Sequence, residues 1–283
     1  TKRLRMGPIA VNPFDIHPVR IATSLLTLND FADGRANIVI GGGGEALEAI
    51  KVKPERRVRA VRECVEIVKG ASASASLSYD GELYHVERYH PAWATADAPQ
   101  VYVGANMRQM LQMAAKCADG IFMSDMTPGL VADALATARA TKNPVSLSGL
   151  TQVNNFFAFH VHDDLEDAKR EARTWLALRA LFRTWVTNTF LEEEACTLIV
   201  DKMPSFFHAL RNGDGIIDGV PDNVIDACID NVTLTSSSDN LDPIIARLKE
   251  FQDAGLTSIA LRLYAHPEQS IKLIGEKIIP ALH

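Results

Sequence analysis

Turns that contain glycine, two of them also with asparagine, lie at the ends of three predicted β-strands, and they are the first candidates for chemistry. They are Gly7–Pro13, Gly41–Glu45 and Gly104–Asn106. Glycine lets the backbone approach a ligand closely, and free N–H groups in such turns can hold an anion. Glu45 is the one ionisable side chain in its turn, so it is a candidate general acid or base. Its alternative role is that of an acidic residue favoured by the dipole of a following helix.

Other interpretations of these turns are weaker. Gly41–Gly44 is similar to a dinucleotide fingerprint, but Leu47 occupies the position where that motif needs glycine or alanine, and the main helix is predicted to begin only at Pro54. The chain has no Gly-Lys-Ser/Thr sequence, which excludes a phosphate-binding P-loop. Gly7–Pro13 taken alone is also typical of a plain turn between a strand and a helix.

Histidine, cysteine and charge patterns exclude several classes of protein. His160 and His162 lie two residues apart at a predicted strand end, but without a third ligand we predict no metal site. The four cysteines form no C-x-x-C pair, and no apolar run is long enough to span a membrane, so we expect a cytoplasmic protein. The 283 residues carry a net charge of -6 without a basic stripe, which argues against nucleic acid as a partner.

Strands and helices alternate along the chain. Short strands are predicted near residues 4, 38, 102, 122, 157 and 260, each followed by an amphipathic helix. Strict alternation predicts a parallel sheet covered by helices, either an open doubly wound sheet or part of a (β/α)8 barrel. We expect one domain over 1–283, with an inserted loop or hairpin at 70–98 and an irregular helical insertion at 186–240. In such folds ligands meet the carboxyl ends of strands, where Ser124 also lies.

The order and spacing of several motifs resemble the luciferase-like flavin and deazaflavin oxidoreductases. The resemblance is strongest to the branch of methylenetetrahydromethanopterin reductase and glucose-6-phosphate dehydrogenase that uses coenzyme F(420). The matching segments are Gly7–Pro13, His17-Pro18, Thr27-Leu28, Gly34-Arg35, Gly41–Leu47, Arg62-Glu63, Tyr102–Ala105, Ala118–Gly120, Ala254-Gly255 and Ile279–Leu282.

This resemblance implies a (β/α)8 TIM barrel with an insertion before the last strand. The match begins at the family's third strand, so we expect the first two βα units to be absent from this chain. The resemblance also implies a non-prolyl cis peptide at Ile9–Ala10 behind the deazaflavin, and it places Glu45 near the ring as the catalytic residue. The residues expected to bind the coenzyme are Ile9, Ala10, Asn12, Gly43, Gly44, Gly104, Ala105 and Ser124.

We therefore predict an oxidoreductase that transfers hydride between reduced F(420) and a small organic substrate with a C=N, C=C or carbonyl/alcohol group. One departure from the family is Thr233–Asn240, which replaces the usual Gly-Thr-Pro-Glu turn. The alternatives are an FMN-dependent monooxygenase of the same family, a non-catalytic degenerate barrel, and a nicotinamide-binding doubly wound protein. Apolar helix faces would also permit a homodimer.

Overall fold

The computed structural model describes residues 2–94, 96–141 and 152–282, and it shows an α/β fold. The chain forms two compact units. Unit 1 comprises Thr1–Phe122 and Ala134–Val153, and unit 2 comprises Met123–Asp133 and Asn154–His283. Within the described ranges, no helix has both the length and the apolar character that a membrane span requires.

The strands are β1 (Ile9–Val11), β2 (Asn37–Ile40), β3 (Leu77–Asp80), β4 (His85–Tyr89), β5 (Gln100–Gly104), β6 (Gly120–Ser124), β7 (Gln152–His162), β8 (Thr233–Ser237) and β9 (Ser258–Leu263). The helices are α1 (Pro18–Phe31), α2 (Glu45–Ala49), α3 (Arg57–Gly70), α4 (Arg108–Cys117), α5 (Pro128–Arg139), α6 (Leu165–Trp175), α7 (Thr184–Thr187), α8 (Glu193–Asp201), α9 (Met203–Asn212), α10 (Asp222–Val232), α11 (Asp242–Asp253), α12 (Pro267–Leu273) and α13 (Ile279–Ala281).

Parallel pairing joins four strands of unit 1. β1 pairs with β2, β2 with β5, and β5 with the first residues of β6. Ile40 of β2 lies opposite Val103 of β5, and both side chains are fully buried. β2, β5 and β6 are largely buried and are continuous apolar runs, as the sequence predicts for a parallel sheet, whereas Ile9 and Ala10 of β1 are exposed. The carboxyl ends of all four strands consequently lie along one edge.

The helix starts of unit 1 confirm part of the sequence analysis and correct another part. The place of His17 just before Pro18 predicts a helix cap, and His17 does cap α1, because its Nδ1 atom accepts a hydrogen bond from the Val19 N–H. The main helix after the glycine turn begins at Arg57 rather than Pro54, because Arg56 has a left-handed backbone with a φ of 49°. The short helix α2, which the sequence analysis did not predict, comes before it.

The hairpin of β3 and β4 is attached to α3 through one buried carboxylate. Glu63 is fully buried, and its side-chain oxygens accept hydrogen bonds of 3.0–3.1 Å from the N–H groups of Glu82, Leu83 and Tyr84. Gly81 is needed beside it, because a Cβ atom there would lie 2.4 Å from a Glu63 carboxylate oxygen. The three N–H groups therefore provide the solvation that the buried charge requires.

Unit 2 contains a parallel strand that the sequence analysis missed. β7 pairs in parallel with β9, which was predicted, and with β8, which was not. β8 consists mainly of threonine and serine, so it lacks the apolar pattern of a buried strand. It is nevertheless largely buried, and the Thr233 hydroxyl is satisfied by donating 2.6 Å to the Ile229 carbonyl.

The helical part of unit 2 consists of more and shorter segments than predicted. The sequence pattern from Leu165 to Trp185 predicts one long helix, but α6 ends at Trp175 and short 3₁₀ turns follow. The backbone at Arg179 is extended, with φ of -95° and ψ of 174°. The apolar core of these segments is formed by residues including Leu176, Leu181, Val186, Ile199, Phe206, Ile225 and Cys228.

We expect Glu63→Ala to lower the free energy of unfolding by about 3 kcal/mol, because three N–H groups lose a charged acceptor. Chemical denaturation followed by circular dichroism measures this change. Glu87→Ala in β4 of the same hairpin is the matched control, since the Glu87 side chain is 82% exposed and its ion pair with Arg88 is worth about 1 kcal/mol or less. Equal losses in the two variants would contradict the anchoring role of Glu63.

Candidate functional site

The predicted residues of unit 1 meet at the carboxyl ends of β1, β2 and β5. A Cβ atom built on Gly41 would lie 3.6 Å from the Cβ atom of Ala10, and one built on Gly104 would lie 3.6 Å from the Cα atom of Gly41. The Gly41 N–H also donates 2.8 Å to the Val11 carbonyl. The three strand ends are therefore in direct contact, and glycine keeps their surface flat.

β1 has the backbone feature that the resemblance implies. The peptide bond Ile9–Ala10 is cis, which confirms that prediction. Ile9 is 53% exposed although it is a large apolar residue in a strand. Just beyond it, the Asn12 side-chain oxygen accepts hydrogen bonds from the N–H groups of Phe14 and Asp15, at 2.9 and 3.3 Å. Asn12 thus shapes the turn, and its contact with a coenzyme stays a prediction.

The glycine turn after β2 leads directly into α2. Gly43 has a left-handed backbone with a φ of 74°, whereas a side chain on Gly44 would meet no atom within 4 Å. Glu45 is the first residue of α2, and its side chain lies outside the described part of the chain. At the end of β5, the Ala105 N–H donates 2.9 Å to the Phe122 carbonyl, which fixes this turn.

This edge suits a flat ring system. Glycine at two neighbouring strand ends leaves backbone rather than side chains on the surface, and Ala10 and Ile9 supply apolar contact beside it. Such a surface lets a planar heterocycle approach closely, and Gly44 leaves open space beside the backbone of its turn. The residues present therefore fit a flavin or deazaflavin, with Ala10, Gly43, Gly44, Gly104 and Ala105 as the ones that would hold it.

The remaining predicted residue, Ser124, lies in unit 2 and contacts a buried ion pair. Its hydroxyl donates 3.0 Å to Asp125, whose other carboxylate oxygen accepts 3.0 Å from a terminal guanidinium nitrogen of Arg179. Both charged side chains are almost fully buried. Burial raises the pKa of Asp125, and the charge of Arg179 opposes that rise without cancelling it. The guanidinium also lies 5.6 Å from the centre of the Phe156 ring.

A second polar group in unit 2 centres on Glu171. One of its carboxylate oxygens lies 2.8 Å from His160 Nδ1 and 3.2 Å from His162 Nε2, and the other accepts 2.9 Å from the Ala265 N–H. Burial lowers the pKa of His160 although the contact with Glu171 raises it. Burial raises the pKa of Glu171, but the bonds from both histidines and Ala265 outweigh it, and the pKa lies below its usual value.

Aromatic rings enclose the buried histidine. The His160 ring stacks on Tyr264 with ring centres 5.0 Å apart, and Tyr264 stacks on Trp175 at 4.3 Å. Burial raises the pKa of Tyr264, so its hydroxyl is a hydrogen-bond donor at neutral pH. We call His160, Glu171, Tyr264, Arg179 and Asp125 the unit 2 cluster.

The sequence analysis missed most of this cluster. The spacing of His160 and His162 places both on one face of a strand, and that signal was available. Within the described residues no group of three His, Cys, Asp or Glu side chains could hold a metal ion, and the two histidines share a carboxylate instead. Glu171 and Arg179 gave no signal, because their partners lie 11 and 54 positions away in the chain.

Comparison with known proteins agrees with this architecture. Residues 1–258 match the model of the luciferase-like monooxygenase family. The chain belongs to this family. It is 28% identical to a 5,10-methylenetetrahydromethanopterin reductase from Archaeoglobus fulgidus over 289 residues, which cover 100% of the chain and 84% of that protein. It is 26% identical to an F(420)-dependent glucose-6-phosphate dehydrogenase from Nakamurella multipartita, covering 100% of the chain and 78% of that protein.

A solved structure shows the same fold. The coenzyme F(420)-dependent tetrahydromethanopterin reductase of Methanopyrus kandleri superimposes with a TM-score of 0.73 at 19% identity, covering 99% of this chain and 83% of that one. These findings confirm the predicted family and the predicted parallel α/β fold. Because these relatives are oxidoreductases, the luciferase-like chain is also an oxidoreductase.

We expect the stability of the protein to fall as the pH is lowered from about 7.5 to about 5.5. His160 has a lowered pKa when folded and one of about 6.5 when unfolded, so the unfolded chain binds more protons below that pH. Denaturant midpoints at the two pH values measure the effect. His160→Gln should show a smaller difference between them than the wild type does, and an unchanged difference would contradict the assignment.

Proposed function

We propose that this luciferase-like protein is a coenzyme F(420)-dependent oxidoreductase that transfers hydride between the deazaflavin and a small organic substrate. The observation that carries the proposal is the glycine-lined edge formed by Ala10, Gly41 and Gly104. The name of the F(420)-dependent glucose-6-phosphate dehydrogenase relative supports F(420) over FMN as the coenzyme. When bound, the deazaflavin supplies the two-electron chemistry.

Each residue of the edge has a proposed task. Ile9 and Ala10 support one face of the ring, and Gly43, Gly44, Gly104 and Ala105 let the backbone approach it. Asn12 fixes the turn beside the ring, and the contact of Ser124 with the coenzyme stays a prediction. Glu45, at the start of α2, holds a proton beside the ring and is the proposed catalytic residue of this turn.

The coenzyme is identified by titrating the protein with oxidised F(420) and, in parallel, with FMN while fluorescence is followed. We expect binding of F(420) and at least tenfold weaker binding of FMN. Gly104→Ala should weaken F(420) binding, because it places a methyl group where the ring would lie. The nearest contact of that methyl group is 3.6 Å, so we expect the variant to fold. Gly129→Ala, with open space around the new methyl group, is the control. Preference for FMN would indicate a monooxygenase instead.

The proposed task of Glu45 is tested with the variant Glu45→Gln. We expect hydride transfer to fall about 100-fold at saturating coenzyme, because a positioned acid or base contributes a factor of this order. F(420) affinity should change by less than about threefold. Glu48→Gln in the same short helix is the matched control, because its side chain is exposed. A rate for Glu45→Gln close to that of the control would refute the assignment.

A further inference from the structure

The hairpin of β3 and β4 reaches the segment that follows β1. The Tyr84 hydroxyl donates a hydrogen bond of 2.7 Å to the Pro13 carbonyl, across 71 positions of the chain. Burial raises the pKa of Tyr84, so its hydroxyl carries its hydrogen at neutral pH. The Tyr84 ring also packs on the His17 ring in a T-shaped arrangement, with ring centres 5.6 Å apart. One hairpin side chain therefore contacts both ends of the segment from Pro13 to His17.

Tyr84 is itself firmly supported. Its backbone N–H is one of the three groups that donate to the carboxylate of Glu63, at a distance of 3.1 Å. Glu63 is fully buried in α3, and a hydrogen bond to a charged acceptor is roughly twice as strong as one between neutral groups. The backbone of Tyr84 is thus fixed to α3, and this fixes the place from which its hydroxyl reaches Pro13.

The segment that the hairpin contacts brings Phe14 to the glycine turn after β2. A Cβ atom built on Gly43 would lie 3.7 Å from the Phe14 ring and even closer to the Leu47 side chain. Phe14 and Leu47 therefore both border this turn of the candidate edge. Asn12 shapes the same segment from within, because its side-chain oxygen accepts a hydrogen bond of 2.9 Å from the Phe14 N–H.

A continuous series of contacts within unit 1 thus joins α3 to the candidate edge. It starts at Glu63 and continues through Tyr84 to Pro13. It ends where Phe14 lies beside Gly43. Pro13 is buried, and a buried carbonyl without a donor costs free energy. Without the Tyr84 hydroxyl, the segment would relax to expose this carbonyl to water, and Phe14 would move with it.

We propose that Tyr84 is a positioning residue of the candidate edge. Through the Pro13 carbonyl it holds Phe14 against the glycine turn, and it thereby sets the affinity of the edge for the coenzyme. The proposal rests on the proposed function, because the coenzyme is the ligand of that edge. When the segment is relaxed, binding must first restore the position of Phe14, so the apparent affinity falls with the fraction of molecules that have the correct arrangement.

The first test needs no coenzyme and compares two tyrosines of the hairpin. Tyr84→Phe keeps the ring and removes the hydroxyl. Tyr89→Phe is the matched control, because the Tyr89 hydroxyl lies 2.8 Å from the Thr23 hydroxyl on α1. In Tyr84→Phe, hydrogen exchange measured by NMR should be about fivefold faster at the N–H groups of Phe14 and Asp15, as expected for the loss of one hydrogen bond. The control should keep the wild-type rates, and equal rates in the two variants would overturn the proposal.

The second test measures F(420) binding by fluorescence in the same variants. We expect Tyr84→Phe to raise the Kd about fivefold and Tyr89→Phe to leave it unchanged. Phe14→Leu should also raise the Kd. The double variant of Tyr84→Phe and Phe14→Leu should bind no more weakly than Phe14→Leu alone, because both substitutions disturb the same contact. Losses of affinity that add in the double variant would refute the proposed route through Phe14.

Thermal unfolding of the variants separates positioning from stability. Tyr84→Phe and Tyr89→Phe each lose one hydroxyl contact, so we expect similar falls in Tm. A purely structural role of Tyr84 would leave the Kd of both variants at the wild-type value well below their Tm, and that result refutes the role of Tyr84 alone. If the wild type binds no F(420), the proposed function is refuted, and the role of Tyr84 in coenzyme binding is refuted with it.

Discussion

Parallel pairing of buried strands is the constraint from which the rest of this structure follows. A strand buried on both faces has no room for polar side chains along its length, so polar and flexible residues collect where it ends. Parallel neighbours end at the same edge, and in unit 1 this brings Ala10, Gly41 and Gly104 into contact. The same rule places His160 and His162 at the carboxyl end of β7 in unit 2.

Both units bury charged side chains, but the hydrogen bonding of these side chains differs between the units. In unit 1 the buried carboxylate of Glu63 accepts hydrogen bonds from three backbone N–H groups. Both of its oxygens therefore help to fix the hairpin. In unit 2 the pairs of Asp125 with Arg179 and of Glu171 with His160 leave Arg179 Nε and His160 Nε2 without hydrogen-bond partners among the described residues. A fully satisfied charge is structural, whereas an incompletely satisfied cluster is where a ligand gains most from binding.

Much of the fold could be predicted from local pattern. The apolar runs at β2, β5 and β9 and the cap at His17 are recognisable because the relevant contacts lie within a few residues of each other. β8 was missed because Thr233–Ser237 has no apolar pattern, and α6 was predicted too long because nothing near Trp175 in the sequence signals its end. The candidate edge of unit 1 was predictable from its glycines, because glycine indicates positions where neighbouring backbones or a ligand approach closely.

The sequence by itself determined the family and the parallel α/β fold, because the order of its short motifs and apolar runs is visible along the chain, and the family resemblance implied the cis peptide at Ile9–Ala10. Only the tertiary structure decided the unit 2 cluster. Arg179 reaches Asp125 across 54 positions, and Tyr264 stacks on His160 across more than 100. Such contacts depend on burial and on the path of the chain between the partners. The spacing of the residues in the sequence predicts neither of these.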